Sequence, residues 1–311
     1  MFSKVDRVLE RVEALLQRVD QHLPARNIEP DWKNFIAYRW RREQTIFGRH
    51  GMLVGVAHPH SIRFADLKDI DDQKSRLESN TRQYVMGRTA NNVLLTGARG
   101  TGKSSLVKAA LQAFAKQGLR LIEVDRADMV DLPEIADLIA GRPERFIIFS
   151  DDLSFEANDP GYKALKSVLD GGISATNDNL LVYATSNRRH LMPEKMSENL
   201  ETKHTEDGEI HPGETTEEKI SLSERFGLWL SFYPFDQQEY LDIVTHWVSV
   251  LAGSRATAKA GALPDDVKVA ALLWALERGS RSGRVAYQFA RDWAGAQVPQ
   301  KKRATRTSRK K

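Results

Sequence analysis

The chain has 311 residues, of which 41% are apolar, 28% charged and 8% aromatic. This length exceeds what one hydrophobic core usually organises, so we expect two domains or one large domain with additions, and the composition excludes a disordered, collagenous or fibrous chain. The absence of cysteine excludes disulfides, thiolate nucleophiles, zinc ribbons and iron–sulfur clusters. No apolar run approaches the about 18 residues of a membrane span, and the charged opening MFSKVDRVLERVEALLQRVD is unlike a signal peptide. We therefore expect a cytoplasmic protein without a membrane segment.

The charge is unevenly distributed. The formal net charge is +4, but the last eleven residues, KKRATRTSRKK, hold seven Lys and Arg and no acid, so the other 300 residues carry about −3. A terminal run of like charge is typical of a solvated, disordered tail, with contact to a polyanion through 301–311 as the alternative. Between Glu194 and Lys219, nine acids face three lysines. That stretch predicts a polar insertion at about 191–222.

Two segments at the start of the chain carry helix signals. Apolar residues recur at steps of three and four between Val5 and Leu23, which predicts an amphipathic helix. The aromatic-rich segment Asp31–Trp40 follows two prolines and predicts a second, helix-like segment. We expect residues 1–75 to form an N-terminal helical region.

Five short apolar runs follow, separated by stretches with helical character. The runs are continuous rather than alternating, which is typical of strands buried on both faces of a parallel sheet. They predict an α/β core at 76–235 in which helices flank a five-stranded parallel sheet. The runs are VLLT (93–96), LIEV (121–124), FIIF (146–149), LLVYAT (180–185) and LWLSFY (228–233).

Three helices are predicted after the sheet. Asp236 and Glu239 form a capping pair ahead of residues 237–251. Asp265 begins a second helix that Gly279 ends, and the third covers Arg284 to Ala294. Residues 236–298 are therefore expected to form a small helical lid, with the basic tail at 299–311.

The run VLLT is followed by a complete G-x-x-x-x-G-K-[ST] loop and a helix-forming segment. Phosphates need glycines that let backbone amides point inward, a helix N-terminus, and a lysine that reaches the β and γ phosphates. Lys103 is that lysine, and the Ser104 hydroxyl is placed to bind Mg²⁺. The predicted nucleotide-binding residues of the loop are Gly97, Gly100, Thr101, Gly102, Lys103, Ser104 and Ser105.

The strand FIIFS ends in two acids, Asp151 and Asp152. An acid at the carboxyl end of a strand beside the loop strand is placed to hold the metal, and a second acid to orient or deprotonate the attacking water. We assign Asp151 to the metal and Asp152 to the water. Because the second acid of such sites is usually Glu, Glu156 remains an alternative to Asp152.

With the loop, the acidic strand end and the later strand LLVYATSN, the pattern resembles the AAA+ ATPases. The resemblance implies that Asn187 is the sensor 1 residue, which contacts the γ-phosphate or the attacking water. It implies that Arg225, in SERFG, reaches the nucleotide site of a neighbouring subunit. It also implies a sensor 2 arginine at the start of a lid helix, for which we choose Arg284 ahead of Arg281.

More closely, the chain is similar to domain-of-unknown-function family 815 of bacterial AAA+ proteins. The strings that carry this resemblance are NNVLLTGARGTGKSSLVKA, FIIFSDDLSFE, LKSVLDGG, ATSNRRHL and EEKISLSERFGLWLSFYPFD, and it covers about residues 35–298. It implies ATP as the nucleotide, and the absence of a guanine-reading Asn-Lys-x-Asp tetrapeptide agrees. It implies no cellular task.

The leading hypothesis is an oligomeric ATPase that uses ATP and Mg²⁺ and couples hydrolysis to remodelling or loading of a protein or nucleic-acid client. A second is a slow nucleotide-gated binding module similar to helicase loaders, which the shorter Asp152 favours. A third is a P-loop kinase that acts on a small molecule. A protein unfoldase is disfavoured because the segment EVDRADMVDLPEI lacks the aromatic–apolar–Gly motif of threading loops.

Overall fold

The computed structural model describes most of the chain from residue 29 to residue 296. The predicted tail at 299–311, most of the predicted insertion and Glu156 lie outside the described residues. Of the helix predicted between Val5 and Leu23, residues 10–14 are described and are helical. The described ranges are 10–14, 29–45, 48–155, 159–170, 178–187, 203–204, 210–211, 224–252 and 263–296.

A mixed, mostly parallel sheet forms the centre of the fold, and it contains all five predicted strands. Val93 and Leu95 pack into one apolar cluster while Leu94 packs into another on the opposite face. Burial on both faces explains why these strands are continuous apolar runs. Among the described residues the sheet has the order β2-β1-β4-β5-β6-β3-β9. The strands are β1 (Ala37–Thr45), β2 (Gly48–Gly55), β3 (Val93–Gly97), β4 (Leu119–Glu123), β5 (Arg145–Ser150), β6 (Leu180–Ser186), β7 (Lys203–His204), β8 (Ile210–His211) and β9 (Leu228–Phe232), with β7 and β8 paired separately.

The helix-like segment predicted at Asp31–Trp40 is wrong, and the region 1–75 is not helical throughout, because Ala37–Thr45 and Gly48–Gly55 form strands. β1 pairs antiparallel with β2 and parallel with β4, so the sheet has seven strands rather than five. Tyr38 and Trp40 are both 1% exposed, whereas Arg39 and Arg41 alternate with them and lie on the other face. This alternation has the period of a strand. Aromatic density alone does not distinguish a strand from a helix, whereas the alternation of buried aromatic residues with arginines does.

Helices cover both faces of the sheet. α1, α2 and the lid helices pack on the face that contains Val93 and Leu95, and α3 and α4 pack on the face that contains Leu94. The helices are α1 (Asp71–Val85), α2 (Lys103–Phe114), α3 (Leu132–Ile139), α4 (Pro160–Leu169), α5 (Gln237–Ala252), α6 (Asp265–Glu277) and α7 (Gly283–Ala296). None of the described helices is both long and apolar enough to span a membrane.

The three C-terminal helices begin and end within two residues of the predicted positions. The backbone N–H of Asp236 donates to Glu239 Oε2 (2.7 Å) and that of Glu239 donates to Asp236 Oδ1 (2.9 Å), which confirms the capping pair ahead of α5. Gly279 follows α6 with a φ of +61°, a conformation that favours glycine. The Tyr240 hydroxyl donates to the carbonyl oxygen of Ala271 (3.0 Å) and joins α5 to α6.

The packing of the β1–β2 hairpin predicts the effect of a single methyl group. A Cβ at Gly51 would overlap the buried indole of Trp40, so Gly51→Ala should lower the free energy of unfolding by about 1–3 kcal/mol. Gly295 has open space around it and lies in α7, so Gly295→Ala should leave stability unchanged or raise it slightly. Urea unfolding of both variants measures the difference. Equal stability of the two variants would contradict the packing of the hairpin.

Candidate functional site

The loop between β3 and α2 is shaped by glycines that no other residue replaces without strain. Gly97, Gly100 and Gly102 have φ angles of +125°, +75° and +98°, in the region that favours glycine. A Cβ at Gly97 would also overlap the carbonyl oxygen of Phe232, and the amide of Ala98 donates to the same oxygen (3.2 Å). The loop therefore lies directly against the carboxyl end of β9.

The helix that follows directs its first amides toward the loop. In α2 the N–H of Leu106 donates to Gly102 O (2.8 Å), whereas the amides of the helical residues before it have no acceptor inside the helix. They include the amide of the half-buried Ser105. The Thr101 hydroxyl donates to Ala98 O (2.8 Å) and closes the loop. The result is a concave set of backbone donors at a helix N-terminus, which favours an anion.

Lys103 is the central cation of the loop and is only 6% exposed. Its ammonium group donates to Gly97 O (2.8 Å), Ala98 O (2.7 Å) and Asn187 Oδ1 (3.1 Å). These three acceptors account for the three hydrogens of the group. The contact with Asn187 joins the loop to the end of β6.

Three cations, Lys103, Arg99 and Arg284, and two carboxylates, Asp151 and Asp152, meet at this edge of the sheet. Burial lowers the pKa of the Lys103 ammonium below its ordinary value, while the carboxylates of Asp151 and Asp152 act in the opposite direction. The positive charges of Arg99 and Arg284 lower the pKa further. Because burial disfavours the charged form of Lys103, a negative ligand would stabilise it.

The first acid of the pair, Asp151, is held by two hydroxyl groups. Ser104 Oγ donates to Asp151 Oδ1 (2.5 Å), and Thr185 Oγ1 donates to the same oxygen (2.6 Å). The backbone N–H of Asp152 in turn donates to Thr185 Oγ1 (2.9 Å). Thr185 therefore fixes both acids from the neighbouring strand.

The second acid, Asp152, extends away from the end of β5. Its φ is +55°, which is uncommon for a residue with a side chain, and its side chain is 59% exposed. Asn187 Nδ2 donates to Asp152 Oδ1 (2.6 Å), and Arg99 lies 4.0 Å from the other oxygen. Lys103, Asn187 and Asp152 therefore form one hydrogen-bonded chain.

The start of α7 lies against the loop. A Cβ at Gly100 would come within 2.8 Å of Ser282 and 3.6 Å of the Cβ of Arg284. The structure thus places the preferred lid arginine, Arg284, beside the phosphate loop. Arg281 is exposed and lines a neighbouring cavity together with Arg99.

That cavity has a volume of about 830 Å³ and lies between the loop and the lid. One wall is formed by Ala98, Arg99 and Thr101 of the loop, and the opposite wall is largely apolar side chains of α6. Pro234 and Phe235 close it at the end of β9. Apolar walls with a cationic rim suit a ligand that has a flat apolar part and a negative part.

Arg225 does not join this constellation. It precedes β9, and β9 is parallel to β3, with Phe232 opposite Gly97 at the carboxyl edge. Four steps of about 3.3 Å each place Leu228, at the amino end of β9, about 13 Å from Phe232, and Arg225 precedes Leu228. There Arg225 Nε donates to Asp170 Oδ1 (2.5 Å), at the carboxyl end of α4. Arg225 therefore lies at the edge of the sheet opposite its own phosphate loop.

With this geometry established, comparison with known proteins identifies the family. The model of the family "Protein of unknown function (DUF815)" matches residues 33–297. The chain belongs to this family. None of the curated proteins matches the chain.

Solved structures are similar to this chain in fold. A single-residue variant of RuvB from Thermotoga maritima aligns with a TM-score of 0.50 and 14% identity, over 76% of this chain and 67% of that chain. Orc1 of Aeropyrum pernix, in a structure with DNA, aligns with a TM-score of 0.48 and 16% identity, over 74% and 60%. The DUF815 chain has the AAA+ P-loop ATPase fold that the sequence resemblance implied.

Two residues of the site were missed in the sequence. Thr185 is the polar side chain of the run LLVYAT that contacts the acids, and a threonine at the end of a mostly apolar run was the available signal. Arg99 occupies a variable position of the loop motif, so the motif gave no reason to select it. Glu156 lies outside the described residues.

Thr185 provides a test of how the acids are positioned. Thr185→Val keeps the shape but removes the hydroxyl that holds Asp151 and the amide of Asp152. It should lower the free energy of unfolding by about 1–3 kcal/mol, since two polar groups lose a partner. It should also weaken Mg²⁺-dependent nucleotide binding.

The matched control is Thr245→Val, because the Thr245 hydroxyl bonds only to Leu241 O within α5 among the described contacts. Denaturant unfolding and nucleotide titration of both variants measure the two effects. If Thr185→Val binds nucleotide as Thr245→Val does, Thr185 does not position the acids.

Proposed function

We propose that this DUF815 protein is a cytoplasmic ATPase that binds ATP with Mg²⁺ at the loop 97–104 and hydrolyses it. The observation that carries the proposal is the hydrogen-bonded chain from Lys103 through Asn187 to Asp152. It joins a phosphate-binding cation, a polar strand end and a carboxylate at one edge of the sheet. In-line attack of water on a phosphoryl group needs these three types of group in one place.

The residues at the loop suit a magnesium ion. Ser104 Oγ and Asp151 Oδ1 are 2.5 Å apart, and hydroxyl and carboxylate oxygens are the ligands that Mg²⁺ prefers. We assign Ser104 and Asp151 to the metal. When bound, the ion neutralises charge on the phosphate oxygens. Thr185 keeps Asp151 in place by the hydrogen bond it already donates.

Asp152 is the proposed acceptor for the proton of the attacking water. Its side chain is exposed toward the site and is oriented by the amide of Asn187. Asn187 also contacts Lys103, so it is placed to sense whether a γ-phosphate is present. Glu156 stays the alternative acid.

The cavity beside the loop is the proposed position of the base. Its apolar wall on α6 and the side chain of Phe235 suit a purine ring. ATP rather than GTP is inferred from the family resemblance. Arg284 beside the loop is the proposed sensor 2 contact to the phosphates, with Arg281 as the alternative.

Arg225 is proposed to act on a second subunit. It lies at the opposite edge of the sheet from its own Lys103, so it reaches a phosphate only in another copy of the chain. A cation supplied in this way stabilises charge that develops on the γ-phosphate. We therefore propose a homo-oligomer whose sites are completed between subunits, and which uses ATP turnover to remodel or load a protein or nucleic-acid client.

The phosphate-binding role of Lys103 is tested by its removal. Lys103→Ala should abolish ATP binding in calorimetric titration, because the loop loses its buried cation. Lys108→Ala, five residues further along α2, removes a lysine of the same helix and should bind ATP as the wild type does. Equal affinity of the two variants would refute the site.

The trans role of Arg225 is tested by mixing. Arg225→Ala should keep ATP binding and lose turnover by about 10³-fold or more. Lys103→Ala is inactive for a different reason and still carries Arg225. Mixing the two inactive proteins should restore part of the turnover, since Arg225 of one subunit completes the intact loop of the other. A mixture that stays inactive would count against completion in trans.

A slow nucleotide-gated switch is the second candidate, favoured by Asp152 itself. Its carboxylate is one methylene shorter than that of Glu and is already engaged by Asn187. A switch predicts that Asp152→Glu raises a low basal turnover while ATP affinity is unchanged. A wild-type turnover within the usual enzyme range of about 1–10³ s⁻¹ would favour the motor instead.

The tail at 301–311 is proposed to contact a polyanionic client. Its seven cations and absence of acids predict DNA binding that weakens steeply with salt.

A further inference from the structure

The side chain of Arg225 is not a free surface arginine. Its Nε donates to Asp170 Oδ1 at 2.5 Å, and the two side chains are 23% and 44% exposed. The contact spans 55 residues of sequence and joins the start of β9 to the end of α4. A partly buried charged pair between two elements is better fixed than a pair on an exposed helix face.

The backbone next to Arg225 is held as well. Phe226 is 4% exposed and belongs to the apolar cluster on the α3–α4 face. Gly227 lies so close to Asn91 that a Cβ would overlap its side chain. Asn91 in turn accepts from and donates to the side chain of Asn80 (2.9 Å each). The backbone at Arg225 is therefore fixed by packing, whereas the guanidinium group at the end of the side chain still has to be oriented.

Asp170 orients the guanidinium group. Nε is the guanidinium nitrogen nearest the aliphatic chain, so a hydrogen bond from it fixes the plane of the group, while the two terminal nitrogens lie at the far end. A free arginine side chain has about 2 kcal/mol of rotamer entropy to lose when it binds a phosphate. A side chain that is oriented before it meets the phosphate loses less.

We propose that Asp170 is a positioning residue for Arg225, which presents the guanidinium to the phosphates bound by a neighbouring subunit. This inference rests on the proposed function, in which Arg225 acts in trans. Asp170 itself touches no phosphate; it acts through the arginine. The essential feature is the acceptor oxygen of Asp170, because it is the atom that receives the hydrogen bond from Nε.

The test compares Asp170→Ala with Asp170→Asn in the full chain, with ATP and Mg²⁺ as the probe. Asp170→Ala removes the acceptor and should lower the turnover number about ten- to hundredfold, since a misplacement of about 1 Å can cost that much. The ATP dissociation constant should stay unchanged. Asp170→Asn keeps an acceptor oxygen and should recover most of the turnover.

Two further variants separate positioning from a structural effect. In an Arg225→Ala background, Asp170→Ala should cause no further loss, because the residue acts only through the arginine. Glu78→Ala removes another carboxylate that pairs with an arginine, Arg82 on α1, and should not change turnover. Circular dichroism and thermal unfolding check that each variant is folded.

Each outcome decides the inference. Asp170→Ala with wild-type or raised turnover, beside an inactive Arg225→Ala, would overturn positioning by Asp170 and leave the proposed function intact. Equal loss in Asp170→Ala and Asp170→Asn would also overturn it, since the charge rather than the acceptor would then matter. Wild-type turnover of Arg225→Ala would overturn the trans role and the inference together.

Discussion

A buried ammonium group is the constraint on which the rest of the site depends. Lys103 is 6% exposed, and burial of a cation is costly unless each of its hydrogens has an acceptor. Two carbonyl oxygens of the loop and Asn187 supply the acceptors. The requirement ties the loop to the end of β6, and through Asn187 to the acid after β5. Burial lowers the pKa of the Lys103 ammonium group, which means that its charged form is less stable than in water. A negative ligand stabilises that charged form.

Much of this edge could be predicted from the sequence, because parallel strands place their carboxyl ends together. The loop motif selected Lys103 and Ser104, and the apolar runs located Asp151 and Asn187 at strand ends. The strand order itself was not predicted: β6 lies between β5 and β3, so the strand that ends in the two acids is not beside the loop strand as expected. The three lid helices could be predicted as well, because capping residues and a glycine stop are local signals.

The features that could not be predicted depend on tertiary contacts. The alternation in β1 was a usable strand signal, but the packing of Trp40 was not predictable, because Gly51 on the neighbouring strand β2 leaves room for its ring. Thr185 gains its role from two acids on another strand. The partner of Arg225 is 55 residues away, at the end of a helix. No spacing rule connects such residues.

The central claim is that the amides and the lysine of residues 97–104 hold a triphosphate. Amide hydrogen exchange of the full chain, with and without a non-hydrolysable ATP analogue and Mg²⁺, tests it most directly. The account predicts slower exchange of the amides at 98–105 and at 151–153, while those of α1 at 71–85 serve as an unchanged reference. Identical exchange at 98–105 in both samples, at saturating analogue concentration, would contradict it.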